Sequence, residues 1–391
     1  MDIVKTGLEK LPEAIPAECK GKRLGLLCNP ASVTRTFVHA RDICRKAFPG
    51  QLSAMFSPQH GFFAEKQDNM IESDNMVDPQ TGIPVFSLYG ETRIPTREMF
   101  DAIDILLIDL QDAGTRVYTF IYTMSYCMEV AGQLRKKVIV LDRPNPVGGH
   151  LVEGNVLDTD YRSFVGRYPI PMRHGLTIGE LALLFNDHFQ IHCDLDVIPM
   201  TNWKREMNFP GTGLPWVPPS PNLPTPASAM VYPGQVIWEG TNVSEGRGTT
   251  QPFEIFGAPF LDPEKVRNAI PADALAGVIL RPVIFEPTAN KWAGTPCRGF
   301  QLHVTNPDAY RPYRLSLELL KAILVHHRND FQWKPPPYEY ELQKKPIDLI
   351  CGDAAVRKAI ENNEDIGRLE QLWQDTINDF LRISKKYHLY A

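Results

Sequence analysis

The segment DILLIDLQDAGTRVYTF, Asp104–Phe120, carries the pattern on which the fold reading turns. ILLID is a short apolar run bounded by aspartates, the form of a strand buried on both faces. A polar, glycine-containing exit follows, and then a long and mostly apolar helical segment, Val117–Lys136. Similar runs at Arg23–Cys28, Leu52–Phe56, Val85–Leu88, Val138–Asp142 and Leu195–Met200 read as further strands. Helical patterns at Arg97–Ala102 and Leu176–Phe189 separate some of them. The second places Ile178, Leu181, Ala182, Phe185 and Phe189 on one face, with Thr177 and Glu180 as its capping box. Strand and helix alternating in this way predict an α/β, doubly wound sheet covered on both sides.

The character changes after about Pro233. Val278–Phe285 and Gly299–Thr305 read as antiparallel strands, and Arg314–His327 and Asp365–Tyr387 as amphipathic helices. The last helix carries Ile366, Leu369, Trp373, Ile377 and Phe380 on its apolar stripe. Two domains are therefore expected, 1–232 and a smaller α+β unit over 233–391. Near the end of the first, Asn202–Pro226 is rich in proline and glycine, yet has too many apolar anchors for disorder.

The bulk numbers exclude several classes. The chain has 391 residues, 43% hydrophobic and 22% charged, which is the composition of a soluble globular protein. A net charge of −5 without a basic tract argues against nucleic acid. The longest apolar run, Ile103–Leu110, is interrupted by Asp104 and Asp109 and is too short to span a bilayer. Seven scattered cysteines without a CxxC pair suggest free thiols in a reducing compartment. No signal-peptide pattern is visible at the start, so a cytoplasmic location is expected. CNPASV stands after the first strand where a dinucleotide fold would carry GxGxxG, and no Walker, HExxH or GxSxG motif occurs. No cofactor and no metal are expected.

Ligands of doubly wound sheets bind beyond the carboxyl ends of the strands. Four such exits here are polar: SPQHGFF (Ser57–Phe63), YGETR (Tyr89–Arg93), DLQDAGTRVY (Asp109–Tyr118) and DRPNPVGG (Asp142–Gly149). Each alone is ordinary turn and cap chemistry; together they predict a binding cleft. Asp109 and Asp112 suit a cation, sugar hydroxyls or a helix cap. Arg116 suits a ligand carboxylate or a pair with one of those aspartates. Asp142 and Arg143 either pair or hold a hydroxyl, and Asn145 is held rigidly between prolines. Arg173 and His174 precede a helix cap, where a histidine is a base or a structural group. A second constellation, WEGTNVSEGRGTTQPFE (Trp238–Glu254), carries Glu239, Asn242, Glu245 and Arg247 among glycines, and Glu153 in VEGN repeats its glutamate–glycine form. Paired carboxylates are what glycoside hydrolysis needs.

In LGLLCNPASV, FSPQHGFF, DPQTGIPVFSLYG, DILLIDLQDAGTRVYTF, VLDRPNPVGG, SFVGRYPIPMRHGLTIGEL, TGLPWVPPSPNLPT, YPGQVIWEGTNVSEGRGTTQPFE and CRGFQLHV the chain resembles the NamZ-like exo-β-N-acetylmuramidases. The resemblance implies a Rossmann-like domain and a smaller C-terminal domain with a cleft between them. It also implies release of terminal N-acetylmuramic acid from peptidoglycan fragments, without a nucleotide cofactor. The family's loop usually reads SPEHG, with the proposed catalytic glutamate in it; here that position is Gln59. An amide transfers no proton usefully at neutral pH. His60, Glu239 and Glu245 are the remaining candidates for acid/base work. Asp109, Arg116, Tyr118, Asp142, Arg143, Asn145, Glu153, Arg173, His174, Asn242 and Arg247 are the expected substrate contacts. Three readings follow: a muramidase on a small carbohydrate substrate, a catalytically silent muropeptide binder, and a scaffold meeting a protein through Trp216, Tyr232 and Trp238.

Overall fold

Strand residues alternate between two apolar cores, and that alternation builds the sheet. In the computed structural model, residues 3–14, 17–68 and 70–391 are described. The first strands are β1 (Leu24–Cys28), β2 (Leu52–Ser57), β3 (Met76–Val77), β4 (Pro84–Ser87), β5 (Ile105–Asp109) and β6 (Lys137–Leu141). Leu27, Phe56, Leu106, Ile108, Val138 and Val140 face a core beneath the helices Phe120–Gln133 and Ile178–Asp187. Leu24, Leu26, Met55, Ile105, Leu107, Ile139 and Leu141 face the opposite core, covered by Ala40–Ala47. Successive strand residues point to opposite faces, so both faces must be apolar when both are covered.

After β7 (Glu153–Val156) and β8 (Pro171–Arg173), which form an antiparallel pair, comes β9 (Asp194–Ile198). The main sheet runs β3-β4-β2-β1-β5-β6-β9, parallel throughout except for the short β3 at its edge. The strand order turns back on both sides of β1, which is the doubly wound topology expected. Helix Ile178–Asp187 starts with the expected capping box, Thr177 and Glu180 exchanging bonds with each other's backbone. The expected second unit is built on β10 (Ile255–Ala258), β11 (Val278–Phe285) and β12 (Cys297–Val304), antiparallel in the order β10-β12-β11, with helices around them. Ile366, Leu369, Trp373 and Phe380 of the helix Ile366–Ser384 are buried, while Ile377 is half-buried. Short strands β3, β7, β8 and β10 carry no period long enough to read in advance.

The expected boundary at residue 232 falls inside a helix, Pro226–Gln235, which holds Pro233 and packs on the helix Pro312–His326. At their crossing a Cβ on Gly234 would lie 2.5 Å from the Ser316 Oγ and against the Pro312 carbonyl oxygen, so only glycine permits this approach. Gln235 Nε2 donates to Ser316 Oγ at 2.8 Å beside it.

Arg116 ties the first unit to the second. It is fully buried. Its Nη1 donates to the carbonyls of Asn155 and Ile170 at 2.7 and 3.1 Å, and its Nη2 to those of Ile350 and Cys351 at 3.2 and 2.6 Å. Neither a ligand carboxylate nor Asp109 or Asp112 is its partner; the guanidinium satisfies carbonyls at the C-terminal end of the helix Pro346–Cys351, where a cation is favourable.

Two outcomes test these joints. Gly234→Ala is expected to destabilise by about 1–3 kcal/mol through overpacking, seen as a lower urea midpoint. Arg116→Met removes a donor from four buried carbonyls, of which those of Ile170 and Cys351 keep a second from the Leu157 amide and Asn155 Nδ2, and is expected to cost about 3–5 kcal/mol. An unchanged midpoint in Arg116→Met would show that the guanidinium does not hold the two units together.

Candidate active site

Beyond the carboxyl ends of β2 and β5 lies a narrow cleft whose free volume is about 30 Å³. Its polar lining includes Gln59, His60, Thr119, Ser220, Asn222, Glu239, Arg247 and Glu339, and its rings Tyr118, Phe120, Tyr232, Phe253 and Tyr338. The first unit supplies the strand-exit residues and the proline-rich excursion supplies Ser220 and Asn222. The second unit supplies Glu239, Arg247, Tyr338 and Glu339. The mixture of rings with a few convergent polar groups is the lining that small-ligand sites use.

Glu239 sits in the short 3-10 turn Val236–Gly240, which directly continues the helix Pro226–Gln235. Trp238 before it is wholly buried and stacks on Phe256 at 4.8 Å, which anchors the turn. That position removes Trp238 from any partner-docking surface. Glu239 Oε1 accepts from Arg247 Nη2 and Oε2 from the Tyr338 hydroxyl, both at 2.7 Å. Behind Arg247 stands Glu245, 3.2 Å from its Nε, and behind Glu245 stands Lys291 at 2.7 Å. Burial alone would raise the Glu245 carboxyl; Lys291 and Arg247 outweigh it, and the group ends below the usual glutamate range. Glu245 is thus not part of the cleft wall. It holds Arg247 in place.

Gln59 links the two units at the cleft. Its Nε2 donates to Glu339 Oε1 at 3.2 Å and its Oε1 accepts from the Thr119 hydroxyl at 2.7 Å. The other Glu339 oxygen accepts from the Tyr89 hydroxyl at 2.7 Å. Burial first, and then the charge of Glu239, push the Glu339 carboxyl up to about 7 against the lowering pull of Tyr89 and Gln59. His60 Nδ1 lies 2.7 Å from the Lys66 carbonyl oxygen, and a carbonyl only accepts, so Nδ1 carries the ring proton. Burial pulls this histidine down to about 4, which leaves it neutral at pH 7.

Of the residues expected from sequence, Gln59, His60, Tyr118, Glu239 and Arg247 line the cleft. The others lie elsewhere. Asp109 is bonded through both oxygens to Arg143, at 2.5 and 2.8 Å, which leaves it no cation to hold. Arg143 also reaches the Val33 carbonyl and lines a separate crevice with Thr34, Arg35 and Gln111. Asp142 accepts from Thr177 Oγ1, the Gly179 amide and the Tyr390 hydroxyl. Asn145 bonds the Leu176 carbonyl and the Val147 amide. Glu153 accepts from the Arg314 amide, and Arg173 donates to the Val147 carbonyl. His174 is fully buried with Nε2 3.2 Å from Asp112, whose other contact is the Gly114 amide. Asn242 pins its loop to Asp330 and Gln332. Arg116, Arg143 and Glu245 therefore do not meet around one ligand, and the cleft is built instead from the exits of β2 and β5, the proline-rich excursion and two segments of the second unit. No group of three metal-ligating side chains occurs among the described residues.

Tyr89 was read only as part of a polar strand exit and Tyr232 only as a docking ring, while Thr119, Ser220, Asn222, Tyr338 and Glu339 were not singled out from sequence. The signal for the last two was PPPYEYELQ, a glutamate between tyrosines behind three prolines. In the fold Tyr338 and Glu341 pair backbone to backbone at 3.0 and 2.9 Å, so Glu339 and Tyr340 form a two-residue turn. Both have positive φ, +44° and +70°, the pattern of a type I′ turn that ordinarily selects Asn-Gly. A glutamate and a tyrosine held there cost about 1–3 kcal/mol each, a strain that gathers at functional sites.

Comparison with known proteins agrees with the geometry. The family model described as exo-β-N-acetylmuramidase NamZ, N-terminal, matches residues 24–227, and its C-terminal counterpart matches 230–390. The peptidoglycan β-N-acetylmuramidase NamZ of Bacillus subtilis (strain 168) is 43% identical over 387 residues, 99% of this chain and 91% of that protein. Crystal structures of two DUF1343 family proteins of Bacteroides fragilis NCTC 9343 superpose with TM-scores of 0.86 and 0.78 at 35% and 30% identity. The first match covers 99% of both chains, the second 100% of this chain and 99% of the other. This chain belongs to the NamZ exo-β-N-acetylmuramidase family.

Proposed function

We propose that the chain is an exo-acting β-N-acetylmuramidase that releases terminal N-acetylmuramic acid from peptidoglycan fragments in the cleft between Glu239 and Glu339. The observation that carries this reading is two buried glutamates on one cleft, held in opposite electrostatic states. Glu239 is ion-paired to Arg247, while the Glu339 carboxyl is pushed up to about 7. Glycoside hydrolysis asks for that division, one group protonating the leaving oxygen and another stabilising the cation-like ring or activating water.

The rest of the wall fits a sugar. Tyr118 and Tyr232 stand edge to face at 6.0 Å and offer apolar faces, while Thr119, Ser220 and Asn222 offer hydroxyl and amide groups. The identity with the Bacillus enzyme across nearly the whole chain supports the substrate class. The reading invokes no metal and no cofactor. Recycling of wall fragments within a reducing compartment is part of the proposal, supported by seven cysteines that are all buried and free. No helix among the described residues is long and apolar enough to cross a membrane.

Incubation with 4-nitrophenyl N-acetyl-β-muramide and with a disaccharide bearing N-acetylmuramic acid at its non-reducing end is expected to release N-acetylmuramic acid from both. The same disaccharide capped by a further sugar at that end should resist. Ligand-dependent thermal stabilisation with no release from either substrate at high enzyme load would defeat the enzyme reading and favour the silent binder. Glu239→Gln is expected to lower kcat on both substrates by roughly 10²–10⁴.

A further inference from the structure

The cleft contains several groups able in principle to carry a proton, and their surroundings remove all but one. His60 is neutral, with its ring proton directed to the Lys66 carbonyl. Burial drives the hydroxyls of Tyr118, Tyr89, Tyr232 and Tyr338 well above their ordinary value, which makes them poorer acids. Glu239 is fixed by Arg247 and Tyr338. Gln59 is an amide with both ends engaged. Glu339 remains. It is 3% exposed, lines the cleft, and has no cation in an ion pair with it among the described residues.

We propose that Glu339 is the general acid of the glycosidase reaction, oriented by Tyr89 and Gln59 from the opposite unit. The assignment rests on the muramidase reading above. Gln59 donates to one carboxyl oxygen and Tyr89 to the other, which leaves a second lone-pair direction on each for the proton and the substrate oxygen. In the step, the carboxyl proton passes to the glycosidic oxygen as the C1–O bond breaks and its electron pair stays with that oxygen. The aglycone leaves as an alcohol and Glu339 is left as carboxylate. Water then adds at C1 and returns a proton to Glu339, so that one glycoside and one water become two hydroxyl compounds. The groups that set the proton affinity of this carboxyl are Glu239, Tyr89, Gln59 and Arg93, and Tyr338, His60 and Arg247 line the cleft beside it. Burial and Glu239 raise it and Tyr89, Gln59 and Arg93 lower it, the balance lying at about 7. Arg93 is itself held over the Tyr340 ring at 3.1 Å, next to the turn.

A general acid matters in proportion to how poor the leaving group is. Glu339→Gln should therefore lower kcat on the muramyl disaccharide by roughly 10²–10⁴ and on the nitrophenyl glycoside by less than about tenfold, since nitrophenolate departs without a proton. Wild-type kcat/KM on the disaccharide should fall as pH rises through about 7, because the protonated form is the active one. Tyr89→Phe removes a donor that stabilises the carboxylate and should move that alkaline limb upward. Equal losses on both substrates, no loss on either, or a limb that Tyr89→Phe leaves in place would overturn the assignment. Retained thermal stabilisation by N-acetylmuramic acid shows that Glu339→Gln is folded; if it is not, the Tyr89→Phe limb decides. Inactivity of the wild type on both substrates would instead defeat the muramidase reading itself.

Discussion

The structure of the cleft depends on a buried chain of alternating charge, Lys291, Glu245, Arg247 and Glu239. An isolated ion in the interior costs several kcal/mol even after relaxation, so none of the four is tolerable there without its neighbour. Lys291 also donates to the carbonyls of Trp238 and Val243, which ties the charges to the backbone that carries them. Burial pulls the lysine ammonium toward neutrality, and Glu245 opposes it. The chain sums to zero, and with it the cations of this corner are committed. Glu339 enters the same space as a further carboxyl without an ion pair among the described residues, and burial first, then the charge of Glu239, push it toward the protonated form.

The charge chain also explains why two glutamates six residues apart play different parts. Glu239 lies at the end of a wholly buried turn and presents its carboxylate to the cleft. Glu245 follows a backbone pairing of Ser244 with Gly257, which turns its side chain away from the cleft toward Lys291. Sequence offered both as equals, since each is followed by glycine. Only the pairing of the loop with β10, a strand of four residues with no readable period, distinguishes them.

The same limit runs through the strand exits. Long apolar runs made the sheet legible, because a strand buried on both faces leaves a compositional mark. Polar residues at the exits leave no mark of where they point. Arg116 and Arg143 were expected near strand ends as substrate contacts, yet one caps carbonyls and the other is consumed by Asp109. Both arginines act as internal struts for the loops. Glu339 was the reverse case. It belongs to a tight turn 280 residues from Gln59 in sequence, and the residues that normally announce such a turn are absent. The departure from turn chemistry was itself the signal, since a strained Glu-Tyr persists only where the surroundings over-determine it.

That placement has a mechanical consequence. A carboxyl on a flexible side chain at a rim would be solvated and would titrate near its ordinary value. Placed on a two-residue turn, with Tyr89 and Gln59 gripping one oxygen each, it is desolvated and oriented at once. Both grips come from the first unit, whereas the turn belongs to the second. The proton affinity of Glu339 is therefore a property of the joint between the units and of neither alone. Separation of the two would remove the donors that hold the affinity near neutrality and admit water to the carboxyl. The carbonyl cluster at Arg116 crosses the same joint and helps to keep it closed, and so supports the geometry on which the titration depends.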